Sequence, residues 1–190
     1  MKTDRVACLA LAVFLASTFA FAQQSDIDLT FAPAQTKVAY ALDASLHTVH
    51  GSFDLKKGSV HFNPVTGEIS GAIMIDATSG KSGNDGRDAK MHKDVLESPR
   101  YPEIIFRPDH VDGKVLPEGN STIQVHGTFA IHGAEHQITL PVHVQMAPAQ
   151  WTADTTFSVP YVEWGMKNPS NFFLHVKPSV EIEIHATGTK

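Results

Sequence analysis

The chain carries 15 basic and 20 acidic side chains among 190 residues, a net charge of −5 with histidines neutral. That balance argues against nucleic acid as a partner, because the phosphate backbone is held chiefly by an excess of lysine and arginine. The one cysteine, Cys8, excludes an internal disulfide and any site built from several thiolates.

The first residues read as a processing signal. Lys2 and Arg5 precede an apolar run from Val6 to Ala16, and Ala20-Phe21-Ala22 offers the small residues of a cleavage site. The expectation is a secretory leader over residues 1–22, leaving 23–190 as one exported domain. A membrane anchor needs about 20 apolar residues without such an exit, and no later segment could span a membrane. Cys8 departs with the leader, so the mature protein relies on packing and strand pairing alone. Lys2, Asp4 and Arg5 depart too, which makes the mature chain one unit more negative.

From there most of the chain alternates apolar and polar with a period of two, the pattern of strands buried on one face. Val38, Tyr40 and Leu42 share a face within Thr36–Leu42, and Val49, Gly51, Phe53 and Leu55 within His47–Leu55. Lys57-Gly58 is expected to turn into Val60 and Phe62, and Asn63-Pro64 to Gly67 into Ile69, Gly71, Ile73 and Ile75. Ile104 and Phe106 resume the pattern, followed by a loop near 112–120. In the clearest hairpin, Ile123, Val125, Gly127, Phe129 and Ile131 face one way. Gly133-Ala134-Glu135 is expected to turn it, and Ile138, Leu140, Val142, Val144 and Met146 return. Pro141, on the other face, implies an edge or a bulge. Ala153–Tyr161 and Val180, Ile182 and Ile184 complete about eight strands, which could close as a barrel or pair as a sandwich.

One stretch breaks the period. In residues 83–106, Met91 and Val95 fall four apart, as do Asp88 and His92, Lys90 and Asp94, and Lys93 and Glu97. This predicts one short helix near residues 87–97 with salt pairs on its wet face, capped by Asn84 or Asp85 and ended by Ser98-Pro99. It would lie across one end of the sheet as a lid. A closed barrel of eight strands either fills with its own side chains or holds one small ligand. Gly51, Gly71 and Gly127 fall in the inward register, where a filled core would carry larger residues. They are expected to leave space inside or to mark bends where the sheet curls.

The segments SGKSGNDGRDAKMH, LESPRYPEIIFRP and GTFAIHGAEHQITLPV resemble diagnostic stretches of the YceI-like family of polyisoprenoid-binding proteins, and Phe31–Val49 is similar to its opening strand. The resemblance spans essentially the whole mature chain. It implies an all-β, eight-stranded antiparallel lipocalin-like barrel with a helix, periplasmic, binding a long amphiphilic lipid in an apolar tunnel. The ligand would be a polyisoprenoid, an isoprenoid quinone or a fatty amide. No catalysis and no cofactor are implied, and a homodimer is left open. Ser79, Ser82, Arg87 and Asp88 match the family's polar motif, and His132-Gly133 its turn. The chain departs from the family at Leu46-His47, at Val95-Leu96 and at Trp164-Gly165, where Phe-Gly is usual. The first two departures bear on the tunnel's width and mouth.

The residues expected to face the tunnel are Val38, Tyr40, Val49, Phe53, Phe62, Ile73, Ile75, Phe106, Val125, Phe129, Leu140, Val142, Phe157, Ile182 and Ile184; the competing reading is an ordinary packed core. Arg87 and His92 are head-group candidates, Arg87 because a guanidinium offers paired donors to an anion. A brace on Asp88 or an opposite loop is the more ordinary use of Arg87. Eleven histidines raise an alternative, an exported metal-binding module. His132 and His136 could meet across a turn, and His126, His143 and His185 share polar strand faces, but the spacing fits no established ligand pattern. A third reading, lipid-ester hydrolysis through Ser79 or Ser82 with a histidine, lacks a nucleophile elbow or an acid pair.

Overall fold

A computed structural model describes residues 25–190; the leader expected over 1–22 lies outside them. Nine antiparallel strands close a barrel with eight positions. The strands are β1 (Ile27–Phe31), β2 (Lys37–Asp43), β3 (Thr48–Phe62), β4 (Ile69–Lys81), β5 (Glu103–Asp112), β6 (Gly119–Ile131), β7 (Ala134–Met146), β8 (Gln150–Val159) and β9 (Val180–Thr189). Neighbours in sequence pair from β2 to β9, and β9 returns to β2 to close the ring. The eighth position is shared. β1 pairs with Ser59–Phe62 of β3 and with the end of β9, β2 pairs with Thr48–Phe53 and with Glu181–His185, and a single 3-10 turn at Pro33–Gln35 joins them. The sequence carries the signal for β1, since Ile27, Leu29 and Phe31 alternate with polar residues, but its five residues were too short to stand out.

The expected turn at Lys57-Gly58 is not there. β3 runs unbroken for 15 residues, with a register shift between Leu55 and Lys57. Gly51, Phe53 and Leu55 face inward before it, and Gly58, Val60 and Phe62 after it. A bulge therefore absorbs the change of phase that the sequence offered as a hairpin. The β6–β7 turn is tighter than expected: Ile131 pairs with Ala134, so His132 and Gly133 are its two central residues, at φ +52° and +76°. Both angles are positive, as a type I′ turn requires.

Helix α1 (Asp85–Lys90) begins where the Asn84 side chain accepts the Arg87 amide, and it widens into a π turn over Met91–Val95. It ends at Glu97, which adopts φ +45°, one residue before Ser98-Pro99. The expected pairs along the helix do not form. Asp88 turns to Ser82, His92 to Ser98 and Gly80, Lys90 to the Pro169 carbonyl, and Glu97 to Arg100 and His132. Tertiary partners across the lid replace neighbours worth only tenths of a kcal/mol each.

At the far end β1 is tied to β3 by His61, whose Nδ1 lies 2.8 Å from Asp28 and Nε2 3.1 Å from Asp26. Those two carboxylates raise its pKa above the ordinary histidine value against a smaller opposing effect of desolvation. A raised folded-state pKa gives stability that is complete below the unfolded value of about 6.5 and lost as pH rises through the folded value. The melting temperature of the parent should therefore exceed that of His61→Gln most at about pH 5.5–6, with the gap closing by pH 9. A gap that stays constant across this range would show that His61 holds β1 without its charge.

Candidate functional site

Because strand side chains alternate, each closed strand sends every second residue into the lumen. All fifteen residues expected to face inward do so, and they line two chambers stacked along the barrel axis. Tyr40, Val49, Phe53 and Ile182 line the chamber under the helix, of about 330 Å³. The other eleven, Val38, Phe62, Ile73, Ile75, Phe106, Val125, Phe129, Leu140, Val142, Phe157 and Ile184, line the far chamber, of about 150 Å³. Successive inward residues of one strand fall in different chambers: Val38 then Tyr40, Leu55 then Phe53, Ile184 then Ile182. Two residues of a strand advance about 6.6 Å, so one layer of side chains separates the spaces. Tyr40 and Phe53, with ring centres 5.5 Å apart, both face the chamber under the helix.

The expectation that the inward glycines leave empty space needs correction. Gly51 lies directly beneath the Tyr40 ring, which any β-carbon would strike, and Gly127 lies against the Arg107 carbonyl. Gly71, at φ +124°, passes close to the Ser59 carbonyl of β3. These glycines let chains and rings approach. The space comes from the closure of the barrel.

The two ends differ chemically. The far chamber is apolar apart from Thr36 and Thr155, and Trp151 closes it with Phe31 edge-on at 4.6 Å. The chamber under the lid is roofed by Met91, Val95 and Leu96 and bordered by Tyr40, His47, Arg87, Lys90 and Asn171. The i, i+4 spacing of Met91 and Val95 points both into the cavity, while a barrel side chain, Tyr40, directs its hydroxyl to Met91 Sδ at 3.6 Å.

Ser82 anchors this lid. Its hydroxyl donates to Asp88, its amide lies 3.0 and 3.1 Å from the two Asp88 oxygens, and its hydroxyl oxygen accepts Arg87 Nε at 2.7 Å. Arg87 Nη2 also donates to the Ser82 carbonyl at 2.9 Å. Burial pushes the Asp88 carboxyl up, but the Ser82 hydroxyl and amide, with Arg87 and His92 nearby, outweigh it and hold the group below the usual carboxylate range. Desolvation raises the Tyr40 phenol beside them. Arg87 and Asp88 thus meet through Ser82, and Arg87 still borders the cavity. Its brace is real, and its remaining N–H donors make no other hydrogen bond among the described residues.

His92 is placed differently from the expectation of a head-group contact. Its Nε2 donates to the Gly80 carbonyl at 2.8 Å, so its Nδ1 accepts from Ser98 Oγ at 2.9 Å. Both nitrogens are occupied, Nε2 in fastening the helix to β4 and Nδ1 in holding the turn that follows the helix, and the ring does not border either chamber. Ser98 is 2% exposed. This Ser–His pair has no carboxylate behind it, and its serine is shut away from solvent. Ser79 donates to the Asp76 carbonyl and Ser82 to Asp88, so neither meets a histidine.

The histidines are dispersed. His132 packs on Tyr101 at 4.9 Å, with Nε2 3.3 Å from Glu97 Oε1, near enough for an ion pair but not aligned for a hydrogen bond. His136 pairs with Phe129 across the hairpin and does not meet His132. His126 shares Asp112 with His110, His143 meets Thr122 and His185 meets Asp154. Among the described residues no three His, Cys, Asp or Glu side chains gather closely enough to hold a metal ion.

The sequence reading missed the seam between β7 and β8. Those strands pair only from Val142–Met146 to Trp151–Thr155, leaving Ala134–Pro141 unpaired on that side. Pro141, lacking an N–H, stands where the ladder stops, as an edge position allows. The β8–β9 connection covers the opening: Trp164 stacks on His136 at 3.9 Å and 6° and lies 5.8 Å from Phe129. Tyr161 pins the same loop by donating to the Lys177 carbonyl at 2.8 Å, and burial pushes its phenol up to about 12. The Trp164-Gly165 departure was the available signal, but only the fold shows what the indole covers.

A closed antiparallel barrel with an apolar lumen, roofed by a helix at one end, is a lipocalin-like architecture. The sequence matches the YceI-like domain over residues 29–188, and the chain belongs to that family. Its fold is similar to that of Burkholderia cenocepacia BcnA, with a TM-score of 0.68 at 19% identity, covering 83% of this chain and 98% of that one. A polyisoprenoid binding domain from Saccharophagus degradans, implicated in plant cell wall breakdown, gives 0.68 at 14% identity over 85% and 97% of the two chains. The Campylobacter jejuni YCEI protein gives 0.60 at 16% identity over 75% and 85%. No curated protein matches the sequence. No helix among the described residues is long and apolar enough to cross a membrane.

Proposed function

We propose that this protein binds a long-chain amphiphilic lipid of the polyisoprenoid, isoprenoid-quinone or fatty-amide type, carrying or storing it in the periplasm without chemical change. The observation that carries the reading is the polarity of the lumen: an apolar far chamber, and a larger one bordered by Arg87, Lys90, His47 and Asn171. An amphiphile would run its tail into the far chamber and place its head beside Arg87. The Saccharophagus domain, named for polyisoprenoid binding, supports the ligand class. Export rests on the leader-like residues 1–22, and the hydrolase alternative lacks support because neither Ser79 nor Ser82 meets a histidine.

Chamber size limits the cargo. A dry apolar cavity of about 150 Å³ takes a benzene ring, and pockets for small ligands begin near 300 Å³. Scaled that way, the two chambers hold a tail on the order of 20 carbons. A longer isoprenoid has to widen the lumen or leave its end outside.

Solvent extraction of the exported, purified protein, followed by mass spectrometry, is expected to release a single-headed lipid in near-stoichiometric amount. Repeated recovery of none, together with a crystal structure in which side chains fill both chambers, overturns the proposal.

A further inference from the structure

Five large apolar side chains stand exposed among the described residues, and three are at the lidded end: Leu46 at 79%, Phe172 at 89% and Phe173 at 85%. They lie on two connections that are bonded together. The Ser45 amide donates to the His175 carbonyl at 2.9 Å, and Ala44 bridges Val176. The longer connection has a built turn at its tip. The Asn171 side chain accepts the amides of Phe173 and Leu174, both at 2.9 Å, and the two phenylalanine rings meet edge to face at 5.1 Å. The residues next to this tip turn inward: Ala44, His47, Asn171, Leu174 and Val176 line the chamber under the helix. The aromatic tip therefore stands at the rim of the cavity, and Lys90 of α1 reaches the same connection through the Pro169 carbonyl at 3.3 Å.

The charge around the tip is opposite to that of the whole chain. Lys90, Lys167 and Lys177 lie on or against these connections, and the carboxylate of Asp43 is paired with Lys177 at 2.6 Å. Glu163 lies on the longer connection as well, so one lysine remains in excess there, on a protein of net charge −5. Exposed aromatics on connections that carry an excess of positive charge suit one surface above others, an anionic bilayer: the rings enter the acyl boundary and the ammonium groups meet the head groups.

We infer that Phe172, Phe173 and Leu46 form a membrane-docking tip that holds the mouth of the cavity against an anionic lipid surface, where cargo enters or leaves. This rests on the lipid-carrier reading for its purpose, but its test is independent of any cargo. Flotation of the chain from residue 23, which contains every strand, with vesicles of phosphatidylethanolamine and phosphatidylglycerol should show binding that weakens with salt. The double substitution Phe172→Ser/Phe173→Ser should reduce that binding at least tenfold. Its melting temperature should not change, and it should still take up lipid presented in detergent.

Three results overturn the inference. The parent fails to float at low salt, the variant floats as well as the parent, or light scattering shows a dimer that the substitutions dissolve, which makes a second copy the occupant of the patch. Loss of uptake from detergent micelles by the parent itself would instead count against the carrier reading alone.

Discussion

Replacing Trp151 by alanine is expected to cost about 3–5 kcal/mol, the usual range for a large aromatic removed from a core. For a domain of this size that lowers the melting temperature by roughly 6–20 °C. Trp151 is 3% exposed, meets Phe31 edge-on at 4.6 Å and donates Nε1–H to the Thr189 carbonyl at 3.1 Å. Gly188, opposite it in the register, leaves the room that the indole occupies. One side chain thereby joins β1, β8 and β9 and closes the apolar end. Thermal unfolding followed by circular dichroism checks the size of the loss. Trp151→Phe should recover more than half of it, because the ring remains and only the hydrogen bond goes. A loss below 1 kcal/mol for the alanine variant would show that this end is held mainly by its ladder.

Filling the larger chamber should have the opposite profile. Ile182 faces it from β9, paired with Tyr40 on one side and Phe157 on the other. Ile182→Trp adds bulk to a space of about 330 Å³. Overpacking a filled core costs about 1–3 kcal/mol, but an open chamber accepts the ring, so the melting temperature should stay within about 4 °C. The indole takes space from the proposed head-and-neck region of the ligand. Lipid recovered on extraction should fall at least tenfold, and binding of a fluorescent fatty amide should weaken to match. Unchanged lipid content would place the cargo elsewhere, and a large drop in stability would show that the chamber closes in solution.

The inward face was legible because a strand has only two sides. Val125, Phe129 and Leu140 could be assigned without knowing the sheet, since a shift of one residue would have turned each strand's apolar set to water. The same logic failed at Lys57-Gly58, where a bulge and a hairpin produce the same change of phase. It also misjudged Gly51: a missing side chain reads as space in one dimension, and here the Tyr40 ring from the neighbouring strand takes that space. Along the helix, spacing identified Met91 and Val95 as a face but promised ion pairs that did not form, because Gly80, near the end of β4, and Ser82, just beyond it, offered better partners. His92 shows the limit most clearly. Nothing local says that both of its nitrogens are committed.

What the sequence by itself determined was the all-β character, the identity of the buried face, the position of the lid helix and the family, all of which follow from the period of the pattern and from short motifs. Only the tertiary structure decided that β1 and β2 share one position in the ring, that the lumen divides into two chambers, that Trp164 covers an unpaired seam, and that Phe172 and Phe173 stand at the cavity mouth. These depend on which strands become neighbours and on how the closed sheet staggers. Both are set by contacts between residues far apart in the chain, which a periodic pattern does not encode.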